Sequence, residues 1–205
     1  MNEIANYPSL KGKVVLITGG ASGIGESIVE NFLQQKSNVV FIDKEKKLGL
    51  QLQSKFQDYE FKPIFMHCDL TNVEELQKTI NQVYKEIGPI SILVNNAAND
   101  DRHHIDSVTP EYWDNRMNVN LRHYFFSIQL AYKHMQELGK GSIVNIGSFS
   151  WMLGQGGMPA YTTAKSAIMG LTRTLARDLG EFNIRVNCVV PGWILTERQK
   201  KLWLT

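Results

Sequence analysis

Short β-branched runs alternate with longer segments of helical periodicity along nearly the whole chain, and this alternation restricts the fold more than any single residue does. The runs Lys13–Thr18, Asn38–Asp43, Phe61–Cys68, Ile90–Asn95, Ser142–Gly147 and Ile184–Val190 read as strands. Helical patterns lie between them, over Glu26–Lys36, Lys44–Gln57, Asn72–Ile87, Thr109–Leu138 and Ala160–Glu181. Crossovers of that length favour parallel strands joined by right-handed connections, with helices on both faces of the sheet. The expected fold class is a doubly wound α/β sheet. With 205 residues, 43% of them hydrophobic, and no Pro-, Ser- or Gly-rich linker, the chain is expected to form a single domain, 1–205.

Sheets of this kind hold ligands beyond the carboxyl ends of their strands. The residues found there are Gly19, Asp43, Asp69, Asn95, Ser148 and Pro191. The first strand opens into Thr18-Gly-Gly-Ala-Ser-Gly-Ile-Gly25 and then a helix. Glycines in such a loop let backbone N–H groups and the positive helix end approach a pyrophosphate. Gly19, Ser22, Gly23, Ile24 and Gly25 are therefore candidates for binding a dinucleotide. The spacing differs from G-x-G-x-x-G, and a tight structural turn is the competing use. Asp43, at the end of the second strand, can accept hydrogen bonds from ribose hydroxyls and would repel a 2′-phosphate, which favours NAD over NADP. Its alternative use is as an N-cap for the next helix. Asp69 and Leu70 after the third strand could meet an adenine, again with a helix cap as the alternative.

Ser148 sits where a hydrophobic strand runs out, and Tyr161 and Lys165 lie four apart at the start of a helical pattern, on one face. A phenol has a reference pKa of about 10, so it serves as a base near neutrality only if positive charge favours its phenolate. Lys165 would supply that charge, and Ser148 could hydrogen-bond a reacting hydroxyl. Alone, a Tyr-x-x-x-Lys pair is also an ordinary solvated helix face. Ser148 lacks the G-x-S-x-G surroundings of a nucleophile elbow. Asn120 is a polar residue among apolar helical neighbours, to be read as a site residue, a cap or the source of an interior helix hydrogen bond.

The charge balance excludes other classes of partner. Twenty-two basic and 20 acidic residues give a net charge of +2, spread without a stripe or tail, so nucleic acid and membrane surfaces are not expected as partners. There is no signal pattern and no apolar run of membrane-spanning length, so a cytoplasmic protein with a small-molecule ligand is expected. Cys68 and Cys188 fall in apolar runs and read as reduced, buried thiols. No metal site is expected, and the adjacent His103 and His104 read as surface residues.

The motifs T-G-G-A-S-G-I-G (Thr18–Gly25), Asn95-Asn96-Ala97, Asn120, Ser148, Tyr161 with Lys165, and Pro191-Gly192 followed by Thr196 resemble the short-chain dehydrogenase/reductase family from about Leu10 onward. The resemblance implies a Rossmann-like fold, NAD as cofactor and a catalytic tetrad. In it Tyr161 is the acid/base, Ser148 the substrate anchor, Lys165 the tuner of Tyr161 and binder of the nicotinamide ribose, and Asn120 the holder of a relay water. It adds Asn96, Pro191 and Gly192 to the cofactor site and places Ile194 and Thr196 at the nicotinamide amide. It also implies a homotetramer through the helices near Thr109–Leu138 and Ala160–Glu181. Two departures stand out. Ala98 replaces the family's usual glycine, which implies a slightly crowded cofactor pocket, and family members usually continue for several tens of residues beyond Thr205, so the chain is expected to be truncated and to lack the family's last strand.

The loop Asn99-Asp-Asp-Arg-His-His104 is dense in hydrogen-bonding groups, which suits a polyhydroxylated substrate, although an ordinary solvated loop would look the same. Asn99–His103, Trp113–His123, Ser148–Trp151 and Thr196–Trp203 are similar to bacterial aldose 1-dehydrogenases, those acting on D-xylose among them. That implies oxidation of a sugar at C1 to an aldonolactone, with Asn99, Asp100, Arg102, Trp151, Gln155 and Trp193 as candidate sugar contacts, each with packing or loop capping as its alternative use. A dehydrogenase for another secondary alcohol, a 3-oxoacyl reductase, or an NAD-binding chain without turnover are the competing functions.

Overall fold

In the computed structural model, which describes residues 5–203, one sheet of six strands is covered by helices on both faces. In chain order the elements are β1 (Val14–Thr18), α1 (Gly23–Gln34), β2 (Asn38–Asp43), α2 (Lys46–Lys55), β3 (Ile64–His67), α3 (Val73–Glu86), β4 (Ile92–Asn95), α4 (Pro110–Met117), α5 (His123–Glu137), β5 (Gly141–Ile146), α6 (Pro159–Gly180), β6 (Ile184–Val189) and α7 (Glu197–Trp203). Every strand pair is parallel, in the order β3-β2-β1-β4-β5-β6. The doubly wound α/β class expected from the alternation is the fold observed.

The order reverses beside β1: the chain runs outward through β2 and β3 and returns to place β4 on the other side. Connections leave β1 and β4 in opposite directions, so a crevice opens beyond their carboxyl ends. Along β1, alternate side chains serve opposite layers. Val14 and Leu16 pack with Leu76 and Ile80 of α3 and Ile128 of α5, whereas Val15 and Ile17 pack with Val29 and Leu33 of α1 and Leu52 of α2. Burial on both faces is why the strand reads as a continuous apolar run rather than an alternating one. Asn95, Asn145 and Thr172 thread a polar chain through this interior, the Asn95 amide donating to Asn145 Oδ1 and the Asn145 amide to Thr172 Oγ1, each at 3.0 Å.

Several boundaries differ from the sequence expectation, α1 for instance beginning at Gly23 rather than Glu26, and α7 is not among the expected elements. The single long helix over Thr109–Leu138 is two helices joined by a π turn, Asn118–Arg122, which carries the buried Asn120. The apolar spacing is continuous across it, so periodicity alone gives no sign of the extra residue per turn. The strand expected from Phe61 begins at Ile64, after Pro63, which has no N–H for a ladder. Residues 197–203 form α7, with Thr196 Oγ1 accepting the Gln199 amide at 3.3 Å as its cap. Among the described residues no helix is long and apolar enough to cross a membrane, and no group of three or more His, Cys, Asp or Glu side chains could hold a metal ion.

The glycine loop needs its glycines. Gly19 has φ +65°, and a Cβ there would stand 2.7 Å from the Ala97 Cα; one on Gly25 would strike the Gly19 carbonyl oxygen and lie 2.8 Å from Asn96 Nδ2. Gly25→Ala is expected to lower the unfolding free energy by about 1–3 kcal/mol, the usual range for overpacking a rigid contact. A urea unfolding midpoint equal to that of the parent protein would show instead that the loop yields.

Candidate active site

The crevice is held at its base by Thr18 and Asn96. The Asn96 amide donates to the carbonyls of Thr18 and Gly19, at 3.1 and 2.9 Å, while Thr18 Oγ1 accepts the backbone N–H groups of Asn96 and Ala97, at 2.9 and 3.1 Å. Above this base, α1 begins at Gly23 with Ser22 at its N-cap position, and the Ser22 hydroxyl makes no capping bond. The first-turn amides of a helix have no intrahelical partner, so this end of α1 offers free donors and positive potential to a phosphate. Asp43 closes the cradle from β2. One carboxylate oxygen accepts the Ala21 amide at 3.1 Å and the other the Glu45 amide at 3.0 Å, so it braces the glycine loop and the turn into α2 at once. These residues fit the pyrophosphate and ribose of a dinucleotide: closely approachable backbone, a helix N-terminus, and a carboxylate with lone pairs to spare. Asp69 and Leu70 sit at the end of β3. Asp69 Oδ1 accepts from the amide and hydroxyl of Thr71, at 2.9 and 2.8 Å, and Leu70 packs against the core.

A cleft of about 430 Å³ continues from this cradle across the ends of β4, β5 and β6. Its walls bring together Ile24, Asn96, Ser148, Tyr161, Lys165, Pro191, Gly192, Ile194 and Thr196 from the expected cofactor and catalytic sets, and Asp100, Arg102, Gln155 and Trp193 from the expected substrate set. Ala98, the departure from the family glycine, also lies on the wall. Ser148 follows β5, its Oγ 2.8 Å from Ser150 Oγ and accepting the Ser150 amide at 3.2 Å. Tyr161 stands in the first turn of α6 and Lys165 one turn further, with Nζ 5.8 Å from the Tyr161 ring centroid.

Lys165 is 1% exposed, its Nζ donating to the Ile146 carbonyl at 2.7 Å and to Tyr124 Oη at 2.9 Å. Burial pulls its pKa down to about 7, against smaller upward pulls from Cys188 and Asp100. Burial likewise raises the Tyr161 phenol, with the Ser148 hydroxyl pulling it back, Asp100 pushing it up and Arg102 opposing. Phenol and ammonium are each discouraged from their charged forms by the same desolvation.

Two expected sugar contacts lie elsewhere. The Asn99 backbone is clamped by Asn120, whose Oδ1 accepts the Asn99 amide at 2.8 Å and whose Nδ2 donates to the Asn99 carbonyl at 3.1 Å; the Asn99 side chain accepts the Asp101 amide. Trp151 lines a second, shallower depression with His104 and Thr162. Asp100 and Arg102 reach the cleft but are already engaged. Asp100 accepts from Arg198 Nε at 3.2 Å and Gln199 Nε2 at 2.6 Å, while Arg102 donates to Met158 Sδ and lies 4.9 Å from the Trp203 ring centroid. Trp193 Nε1 donates to Gln199 Oε1 at 2.9 Å.

His103 is the residue the sequence reading misplaced. It is buried, not on the surface: its backbone amide donates to the Gly157 carbonyl, and its Nε2 accepts the Ala160 amide at 3.2 Å. With Nε2 accepting, the proton belongs on Nδ1, which faces the Asp101 carbonyl at 3.0 Å and Tyr112 Oη at 3.1 Å. The imidazole thus caps the helix that carries Tyr161 and Lys165. Met158 at the N-cap position and Pro159 at the first helical position offer no side-chain acceptor for the first-turn amides, but nothing local in the sequence points to His103 as the group that supplies one. His104 is exposed as expected. Cys68 is buried and Cys188 half-buried, both as free thiols.

A sequence model described as short chain dehydrogenase matches residues 13–205. The chain belongs to the short-chain dehydrogenase family. It is 47% identical to the D-xylose 1-dehydrogenase of Caulobacter vibrioides over 201 residues, spanning 98% of this chain and 79% of that protein. A Rhizobium meliloti protein named "Probable galactose dehydrogenase GalD" is 46% identical over 202 residues, with the same coverage of each chain. Among solved structures, the ligand-free aldohexose dehydrogenase of Thermoplasma acidophilum superposes with a TM-score of 0.84 at 31% identity, covering 95% of this chain and 72% of that one. Membership makes the protein an oxidoreductase acting on CH–OH groups with a nicotinamide cofactor, NAD or NADP, and a small-molecule substrate.

The depressed pKa of Lys165 sets the sign of a stability effect. Between about 7 in the folded protein and the ordinary lysine value of 10.5, the unfolded chain binds the proton and the folded chain does not. Stability from this group therefore rises with pH through that window, and the full cost of burying the ammonium is felt below it. Lys165→Met is expected to gain more stability relative to the parent at pH ~6.5 than at pH ~9.5; denaturant unfolding at both values, with an equal difference, would contradict it.

Proposed function

We propose that the protein oxidises an aldose such as D-xylose at C1 to the aldonolactone, with NAD as the preferred cofactor and Tyr161 as the base. The observation that carries this reading is the convergence of Ser148, Tyr161 and Lys165 on one cleft that Asp100, Arg102 and Gln155 also line, among apolar side chains such as Leu153 and Trp193. The names of the two relatives, xylose and galactose dehydrogenases at 47% and 46% identity, support a sugar as the substrate.

In this reading the C1 hydroxyl of the sugar sits against Ser148, whose Oγ is steadied by Ser150, and gives its proton to Tyr161 Oη. The bound nicotinamide supplies the hydride acceptor and, in its oxidised form, a positive ring charge. Lys165, beneath the phenol, adds charge when protonated and directs an N–H toward the cofactor ribose. Asn120 acts through its clamp on Asn99, which fixes the loop over the cleft, and is assigned the relay water. Asp43 has one backbone donor on each oxygen and retains lone pairs for the ribose hydroxyls, and its charge disfavours a 2′-phosphate. Lys44, Lys46 and Lys47 stay exposed on α2 and its approach. In this reading Pro191, Gly192, Ile194 and Thr196, on the cleft wall, would hold the nicotinamide, Ile24 and Asn96 with the neighbouring Gly19, Ser22, Gly23 and Gly25 the phosphates, and Asp69 and Leu70 the adenine. The same reading takes the chain as one domain of a cytoplasmic homotetramer, with exposed Phe125 on α5 as apolar surface that another copy would cover.

The test is a panel of pentoses, hexoses, hydroxysteroids and acyl ketones, each with NAD and NADP, followed by the absorbance of the reduced nicotinamide. Aldoses with NAD are expected to give the highest kcat/KM; no turnover with any aldose would sink the sugar assignment, and equal use of NADP would remove Asp43 as its selector. Tyr161→Phe is expected to lower kcat by about 10²–10⁴-fold, the usual worth of a positioned acid–base group, with NAD affinity kept. Turnover at the parent rate would take Tyr161 out of the base role.

A further inference from the structure

We infer that Tyr124, which belongs to none of the expected catalytic positions, is a positioning residue for Lys165: its buried phenol fixes the ammonium group and leaves one N–H free for the cleft. The inference rests on the assignment of Lys165 to the active site made above.

Tyr124 is fully buried in the first turn of α5 and Lys165 is 1% exposed on α6. The two meet over the end of β5, where three polar groups close a triangle. Tyr124 Oη donates to the Ile146 carbonyl at 2.9 Å, Lys165 Nζ donates to the same carbonyl at 2.7 Å, and Lys165 Nζ lies 2.9 Å from Tyr124 Oη. A phenol has one proton, and here it goes to the carbonyl, so the phenol can meet the ammonium only as an acceptor. An ammonium has three donors and no acceptor. Two are therefore committed to Ile146 and Tyr124, and the third is left for the cleft that Lys165 lines.

The chain has little else with which to hold this charge. A buried ammonium is costly unless paired or hydrogen-bonded, and among the described residues no ion pair joins Lys165 to a carboxylate. The two neutral oxygens of the triangle are its partners. Burial pushes the Tyr124 phenol well above its ordinary value, so it stays neutral and keeps the same donor and acceptor roles across the working pH range. Its ring is held in turn by His123, at 4.6 Å between centroids. The π turn Asn118–Arg122 immediately precedes this pair, and so sets the entry of α5 that points Tyr124 at β5. The titratable groups that face Lys165 are Tyr124 and His123 from α5, Tyr161 from its own helix, Cys188 from β6 and Asp100 from the loop after β4.

Tyr124→Phe keeps the ring and removes the acceptor. Nitrogen NMR of the Lys165 ammonium in the full chain, assigned with Lys165→Met, is expected to show its pKa lower by about one to two units, the worth of one hydrogen bond to a charged group. With an aldose and NAD, kcat is expected to fall about 10- to 100-fold while KM for the sugar stays within about twofold. A Lys165 titration identical to the parent's overturns the inference. A shifted titration in a protein that turns over no sugar, parent included, supports the positioning role and counts against the sugar reading alone. If the Phe variant does not fold, fluorotyrosine-labelled parent protein decides: the Tyr124 fluorine resonance should move with the Lys165 midpoint, and a resonance flat through that midpoint overturns the inference.

Discussion

The hydrogen bonds between Thr18 and Asn96 join the two halves of the molecule where they diverge. β1 and β4 are neighbours in the sheet but are followed by chain that runs in opposite directions, so nothing in the ladder itself holds their trailing loops together. Thr18 Oγ1 and the Asn96 amide do so with four bonds, and Gly19 lets the loops touch, since a side chain there would overlap Ala97. The crevice is narrow and rigid at its base for that reason. What lies on either side, the α1 cradle and the cleft over β5 and β6, inherits its spacing from this contact.

The same interior that shapes the cleft also sets its electrostatics. Tyr161 and Lys165 need an ordered, largely dry environment to be held in register, and that environment works against the charged form of both. A phenol raised by burial is a poor base by itself, and an ammonium drawn down to about 7 is only partly charged at neutrality. The site therefore depends on small compensations. These are the Ser148 hydroxyl beside the phenol, the Ile146 carbonyl and Tyr124 beside the ammonium, and the positive charge that an oxidised nicotinamide brings. On the function proposed above, binding of the oxidised nicotinamide would offset part of this burial cost.

The fold was readable because its signals are local. β-branched runs ending in glycine or polar residues mark the strands, and Asn72 and Thr109 announce their helices by accepting the amides of Glu74, Glu75 and Tyr112. Gly19, Asp43, Ser148, Tyr161 and Lys165 were visible for a related reason: each stands at a strand end or a fixed helical spacing. What could not be read depends on pairs far apart in the chain. The π turn at Asn118–Arg122 keeps an ordinary helical pattern of residue types. His103 caps a helix that starts 56 residues after it and looks like surface in its own loop, and Tyr124 lies within an aromatic stretch whose obvious use is packing. In each case the decisive partner is a backbone group, which sequence does not distinguish from any other.

The loop after β4 shows how this changes the account of specificity. Its polar residues suggested a surface for sugar hydroxyls, yet in the folded chain most of them hold other elements. Asn99 meets the π turn, Asp100 and Asp101 meet Arg198 of α7, Arg102 meets Met158 and Trp203, and His103 meets the start of α6. A sugar that hydrogen-bonds Asp100 or Arg102 must share or displace those partners. Since α7 also places Gln199 on the cleft wall, beside Trp193, binding at one wall is mechanically tied to the position of the other. On the sugar reading proposed above, discrimination would turn on how well a substrate's hydroxyls replace the α7 contacts without leaving the Asp100 carboxylate or the Arg102 guanidinium unpaired.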